Sequence, residues 1–234
     1  MAIAGHLKAT GRERSGAACY IRHVAGKFLD GEAHAAFARA IALIEDASAA
    51  EVVIAVRRRS AAYQHANVIV GVAAALAGLA AMLFSAHVFA LPSILVDPFV
   101  VGGAAGALVE LLPGVKRRLT PRALRDREVL RAARATFVER GVHRTRDRSG
   151  LLVYISWLER DIALVGDAGI ERALPGDAAR TLAAAMAGGG ASVARALAQL
   201  APALAAAAPR RSDDANELPD AIDSDLDASD RGAP

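Results

Sequence analysis

VIVGVAAALAGLAAMLFSAHVFALPSILVDPFVVGGAAGALVELL, residues 68 to 112, decides how the rest of the chain is read. From Val68 to Val96 it holds no charged residue, and its only titratable side chain is His87. An α-helix rises about 1.5 Å per residue, so about 20 apolar residues cross the hydrocarbon of a bilayer. The stretch is long enough for two crossings. Proline removes a backbone donor and disfavours helix continuation, which places the turn around Leu91-Pro92-Ser93 and Asp97-Pro98. The expected hairpin runs from Val68 to about Phe89 and returns from about Ile94 to Leu112.

The polar exceptions fall where lipid tolerates them. Asp97 and Glu110 lie near the ends of the second helix, within reach of an interface where a charge costs less than at the midplane. Gly102 and Gly106 form a GxxxG, faced by Gly71, Ala75 and Gly78 on the first helix. Small residues let two backbones approach closely in lipid. The pattern fits a contact within the hairpin or a homo-oligomer, and the internal contact is favoured. Arg57, Arg58 and Arg59 precede the hairpin, and Lys116, Arg117, Arg118, Arg122 and Arg125 follow it, with no Lys or Arg in between. The positive-inside rule then puts both chain ends in the cytoplasm, with two helices in the membrane. The same charges could serve as a nucleic-acid footprint. With aromatics at 4% there is little to stack on bases, so lipid headgroups are the expected partner and nucleic acid is not.

The chain has 234 residues, 54% of them hydrophobic, and one cysteine, Cys19, which excludes an internal disulfide framework. Without the hairpin there is material for one modest domain. Residues 1–29 show no sustained periodicity and no continuous apolar run of the signal-peptide kind, so they are expected to be a flexible, uncleaved leader. Residues 30–66 open the domain: Asp30 offers an N-cap oxygen to a helix ending near Ala47, with Phe37, Ile41 and Ile44 along one face beside Ala33, Ala40 and Ala47. EVVIAV, Glu51 to Val56, is a β-branched run and reads as a strand. The hairpin, 67–113, therefore interrupts a domain after its first helix and strand.

Residues 114–208 complete it. Thr120-Pro121 predicts a helix start, and Gly141 its end, with Leu130, Ala133 and Phe137 as the buried stripe and the arginines solvated. Leu151 to Leu158 and Ile162 to Val165 flank the charged turn Glu159-Arg160-Asp161, the pattern of an antiparallel hairpin. A short helical turn follows Gly166. Asp177 is placed to cap a helix to about Ala187, and Gly188-Gly189-Gly190 links it to an alanine-rich helix, Ala191 to about Ala208. The remainder, 209–234, is acidic and poor in large apolar groups. It reads as a disordered tail, with the basic segments beside the membrane as a conceivable partner.

Taken together, helix, EVVIAV strand with Ser60 and Tyr63 after it, hydrophobic hairpin, basic helix and GVHRTRDRSGLLVYISWLERDIALVGDAGIERALPGD resemble the TPM domain family, specifically bacterial membrane versions interrupted by two transmembrane helices. The resemblance covers roughly Asp30 to Leu200 and is most specific from Thr145 to Pro175. It implies an α/β fold: a TPM-like α/β/α sandwich with a small mixed sheet, interrupted by the hairpin. It also implies one of two activities, since some members are described as metal-binding or as acid phosphatases and others as assembly, repair or maintenance factors for membrane complexes.

The preferred expectation is a non-catalytic adaptor for a membrane protein complex. The alternative is a divalent-metal-dependent phosphatase, which needs clustered oxygen ligands around a hard cation such as calcium or magnesium. Its candidate metal ligands are Asp147, Asp167 and Glu171, near strand ends of the resembling block. Where many relatives carry an aromatic-containing Gly-x-Gly, this chain has Gly166-Asp167-Ala168-Gly169. The structural alternative makes Asp167 a helix cap, Gly169 the holder of an unusual backbone angle and Glu171 a solvated side chain. His143, with Thr145 and Asp147, forms a polar group best read as a loop histidine bonded to backbone, because no second histidine lies at a ligand spacing. Tyr154 and Trp157 read as packing residues. No nucleophile motif surrounds Cys19 or any serine.

Overall fold

The computed structural model describes residues 28–210, 218 and 221–226. The expected leader, apart from its last residues, and much of the expected tail lie outside them. Contacts divide the chain into two units, one formed by the residues before Ala61 and from Asp126 onward, the other by Ala61–Arg125. The insertion is thus wider than 67–113.

The first unit is built on a four-stranded mixed sheet of order β3-β2-β1-β4. Helix α1, Gly31–Ala47, precedes β1, Glu51–Arg57. Asp30 caps α1 as its sequence predicts, Oδ1 accepting from Ala33 N at 2.8 Å. The buried face is Ala33, Ala36, Phe37, Ala40, Ile41 and Ile44, while Ala47 is exposed. Strand β2, Gly150–Ser156, pairs in parallel with β1, from Glu51↔Gly150 to Arg57↔Ser156. It also pairs antiparallel with β3, Asp161–Gly166. Being central, β2 is apolar on both faces and wholly buried, as a strand covered on both sides must be.

Alternation along the strands divides the core in two. Val52, Ile54, Val56, Leu151, Val153 and Ile155 share a core with α1, with α7 (Ala178–Ala185), α8 (Gly190–Ala198) and α9 (Ala201–Ala207), and with Ile170 of α6 (Ala168–Ala173). Val53, Ala55, Leu152 and Tyr154 face Val129, Ala133 and Phe137 of α5, Arg122–Glu139. The fold is therefore α/β with helices on both faces of the sheet. The stripe of α5 is corrected by one position: Val129 is buried and Leu130 exposed. The helix stops at Gly141, whose φ of 67° is the left-handed conformation a side chain resists.

Three local expectations are revised. Asp177 makes no capping bond to α7. The single alanine-rich helix is two, α8 and α9, with Pro202 in the first turn of the second. Phe28 and Leu29, assigned to the leader, are buried in the core, and Phe28 O accepts from Gly190 N at 3.2 Å.

The tail needs a larger correction. Asp223–Ser224 forms β4, parallel to β1 opposite Ala55 and Val56, and Leu226 sits in the main core at 1% exposure. An unpaired strand edge supplies backbone partners that composition does not reveal, and β1 offers one beside Arg57 and Arg58.

The second unit consists of α2 (Gln64–Phe84), α3 (Leu91–Val109) and α4 (Pro113–Leu119). Helices α2 and α3 are long and apolar enough to cross a membrane, and Val68, Val72, Leu76, Leu83, Leu95 and Val100 are exposed. Both helices start earlier than expected. Pro92 is accommodated in the first turn of α3, where its missing N–H costs little, and Pro98 lies inside that helix. The glycine contact is internal: a Cβ on Gly71 would stand 2.9 Å from Gly102 O, and one on Gly102 2.7 Å from Gly71 O. Glu110 Oε2 accepts from Asn67 Nδ2 at 2.9 Å and from the buried Lys116 ammonium, tying α2 to the segment after α3. Thr120 does not cap α5. Its hydroxyl donates to Lys116 O at 2.7 Å, closing α4, and Pro121 O receives the first amides of α5.

Candidate functional site

The three carboxylates singled out from sequence sit around the end of the sheet where β2 begins and β3 ends. Asp167 follows β3 directly and is 7% exposed. Its Oδ2 accepts from Gly150 N at 3.2 Å, and its own amide donates to Gly150 O at 3.0 Å. The side chain therefore staples β3 to the start of β2, and makes no capping bond to α6. Gly169 is an ordinary residue of α6 and carries no positive φ. Glu171 is exposed on α6, as the structural alternative expected.

Asp147 is exposed in the turn before β2 and borders a cavity of about 300 Å³ with Ala49, Arg148, Ser149, Gly169 and Ile170. Asp167 and Glu171 do not line it. Among the described residues no group of three or more His, Cys, Asp or Glu side chains is arranged to hold a metal ion. The three carboxylates are of the right chemical type for calcium or magnesium but are not arranged as one ligand set, and a hard cation needs several oxygens converging on one point.

The neighbouring polar residues are also engaged in structure. Thr145 Oγ1 accepts from Ser149 N at 3.0 Å and holds the turn that carries Asp147. The expected backbone bond to His143 is not made at Nδ1, which is buried without a hydrogen-bond partner among the described residues. Its ring stands 6.2 Å from that of Phe137, centroid to centroid.

A second polar group, absent from the sequence reading, lies at the opposite end of the sheet, where parallel β1 and β2 finish. Open α/β sheets commonly build their sites at this carboxyl end. Glu159, 3% exposed in the β2–β3 turn, accepts from Ser60 N at 2.9 Å through Oε1 and from Ser156 Oγ at 2.5 Å through Oε2. Ser60 Oγ lies 2.7 Å from Ser156 Oγ and 3.3 Å from the Tyr154 hydroxyl. Burial pushes the Tyr154 phenol above its ordinary pKa, opposed by the Ser60 hydrogen bond and by the positive charge of Arg57. Beside this chain, Asp223 pairs with Arg57 and Arg140. Arg58 N donates to Asp225 Oδ1 at 2.6 Å.

Chemically, this group fixes position. The carboxylate is held by two donors, and Ser156 and Glu159 are closed to solvent at 0% and 3% exposure. Its effect is to clamp Ser60, the last residue of the sheet unit before the chain leaves for the hairpin, to the β2–β3 turn. No sequence motif could have flagged it, because Ser60 and Glu159 meet only through the parallel pairing of β1 with β2.

No family model matches the chain, and no curated protein matches it. Among solved structures it is similar to the NMR structure of BA42 protein from the psychrophilic bacterium Bizionia argentinensis sp. nov.. The two share 16% identity at a TM-score of 0.48, over 84% of this chain and 95% of that one.

Proposed function

We propose that the chain is a non-catalytic adaptor: a TPM-like domain held at the bacterial inner membrane by the α2–α3 hairpin, with both ends in the cytoplasm, offering a surface to a membrane protein complex. The observation that carries this reading is the fate of the candidate ligands. Asp167 is spent on the backbone of Gly150, while Asp147 and Glu171 are exposed and Glu171 lies off the cavity that Asp147 borders. Phosphoryl transfer assisted by a metal would need these oxygens to converge. Anchoring is supported by two exposed apolar helices flanked by basic residues.

Affinity capture of the full chain from detergent-solubilised membranes is expected to enrich a defined set of membrane proteins, and recovery of none across detergents counts against the adaptor. In the same preparation, hydrolysis of a generic phosphomonoester with added magnesium or calcium is expected to stay at background and to be unchanged by chelator. Turnover that chelator abolishes and Asp147→Ala removes would establish the phosphatase instead.

A further inference from the structure

Ala221 to Leu226 lies on the outer edge of β1 in the manner of a bound peptide. Asp225 N donates to Val56 O at 3.2 Å, and Arg57 Nη1 donates to Asp223 O at 2.9 Å. The Asp223 carboxylate pairs with Arg57 and Arg140, the Asp225 carboxylate takes the amide of Arg58, and Leu226 fills an apolar position in the main core. Main-chain pairing with alternate side chains read by charge and by a pocket is the chemistry of strand addition to a sheet edge.

We propose that the outer edge of β1 is a docking groove for an extended acidic peptide of a partner protein, of pattern Asp-x-Asp-Leu, and that Asp223–Leu226 occupies the groove in cis. Charge complementarity selects this occupant. The groove presents two guanidinium groups and an amide to carboxylates two residues apart, and one apolar site to the leucine that follows. Leu226 is the buried anchor of the cis segment, whose polar contacts are open to exchange. The segment pairs with β1 over two residues only, and its ion pairs are partly exposed, with Arg140 at 51% and Asp223 at 22%, so they weaken with salt. Tethering keeps it in place by effective concentration. The inference deepens the adaptor reading by naming the chemistry of a partner. Its test uses a synthetic peptide, so it and the capture experiment can fail separately.

The experiment uses full-length protein in detergent micelles and a fluorescent peptide with the sequence of residues 218–226, LPDAIDSDL, followed by anisotropy. Asp223→Ala with Leu226→Ala, checked for fold by circular dichroism, is expected to bind the peptide saturably and at least tenfold more tightly than the wild-type chain, whose groove is filled. Adding Arg57→Ala should lose that gain, as should a peptide with both aspartates changed to asparagine. If the double variant unfolds, Asp223→Asn alone is compared with wild type at low and high salt, and a peptide affinity gain of at least threefold at low salt is expected. Equal binding to folded variant and wild type, or indifference to Arg57→Ala, overturns the proposal. A disulfide between Arg57→Cys of one copy and Asp223→Cys of another, in a Cys19→Ser background, would assign the groove to a second copy and overturn it as well.

Discussion

Glu159 and Tyr154 show how single side chains hold the carboxyl end of the sheet. The Glu159 carboxylate satisfies the Ser60 amide and the Ser156 hydroxyl in a buried setting. Its removal leaves the amide unpaired, which costs about 1–3 kcal/mol. Glu159→Ala should lower unfolding stability by that amount in denaturant titrations read by Trp157, the lone tryptophan, which packs on Phe28 with ring centroids 5.2 Å apart. Glu159→Gln should cost less, since an amide oxygen can face Ser60 N while its NH₂ donates to the serine hydroxyl. For Tyr154 the folded state holds the phenolic proton more tightly than the unfolded chain does. Its contribution is therefore complete below the ordinary pKa of 10.0 and is lost as pH rises from there through the higher folded value. An ultraviolet titration should show a phenol step above the ordinary pKa that Tyr154→Phe removes, together with part of the alkaline loss of stability.

Among the elements, those whose cause is local were readable from sequence and those whose cause is tertiary were not. EVVIAV, the Asp30 cap, the turn around Glu159-Arg160-Asp161 and the Gly141 stop each act within a few residues, and each lies where expected. Strand β4 is two residues in an acidic stretch, with apolar side chains only at intervals. It exists because β1 lends it an edge, which no periodicity encodes. The same holds for Thr120, a good capping residue by type that instead ends the preceding helix through Lys116 O. For the site, residue type offered Asp167 as a metal ligand or as the cap of α6; it makes no capping bond, and its partner Gly150 is 17 residues away across the β2–β3 pair. The α2–α3 contact makes a sharp element-scale prediction. Gly102→Leu forces a side chain against Gly71 O and Ala75, an overpacking cost of about 1–3 kcal/mol, and should lower the thermal midpoint of the helical signal in micelles. Gly103→Leu, with nothing within 4 Å of its added Cβ, should leave that midpoint in place.

For the whole molecule, the proposed sidedness makes the firmest claim. Full-length protein should sediment with membranes and need detergent for release. Reporters fused at Gly26 and Arg211 should read as cytoplasmic and one at Ser93 as the opposite side, and a split result for the two ends would mean an odd number of crossings. The pairing of Glu51 with Gly150 has a further consequence during synthesis. Each residue of β1 is synthesised 99 residues before the one it pairs with in β2, and closing so long a loop is slow and costly in entropy. Under the proposed membrane anchoring, translation would thus deliver the greasy insert to the bilayer before the sheet is complete. Until β2 emerges, the nascent β1 lacks the strand it pairs with.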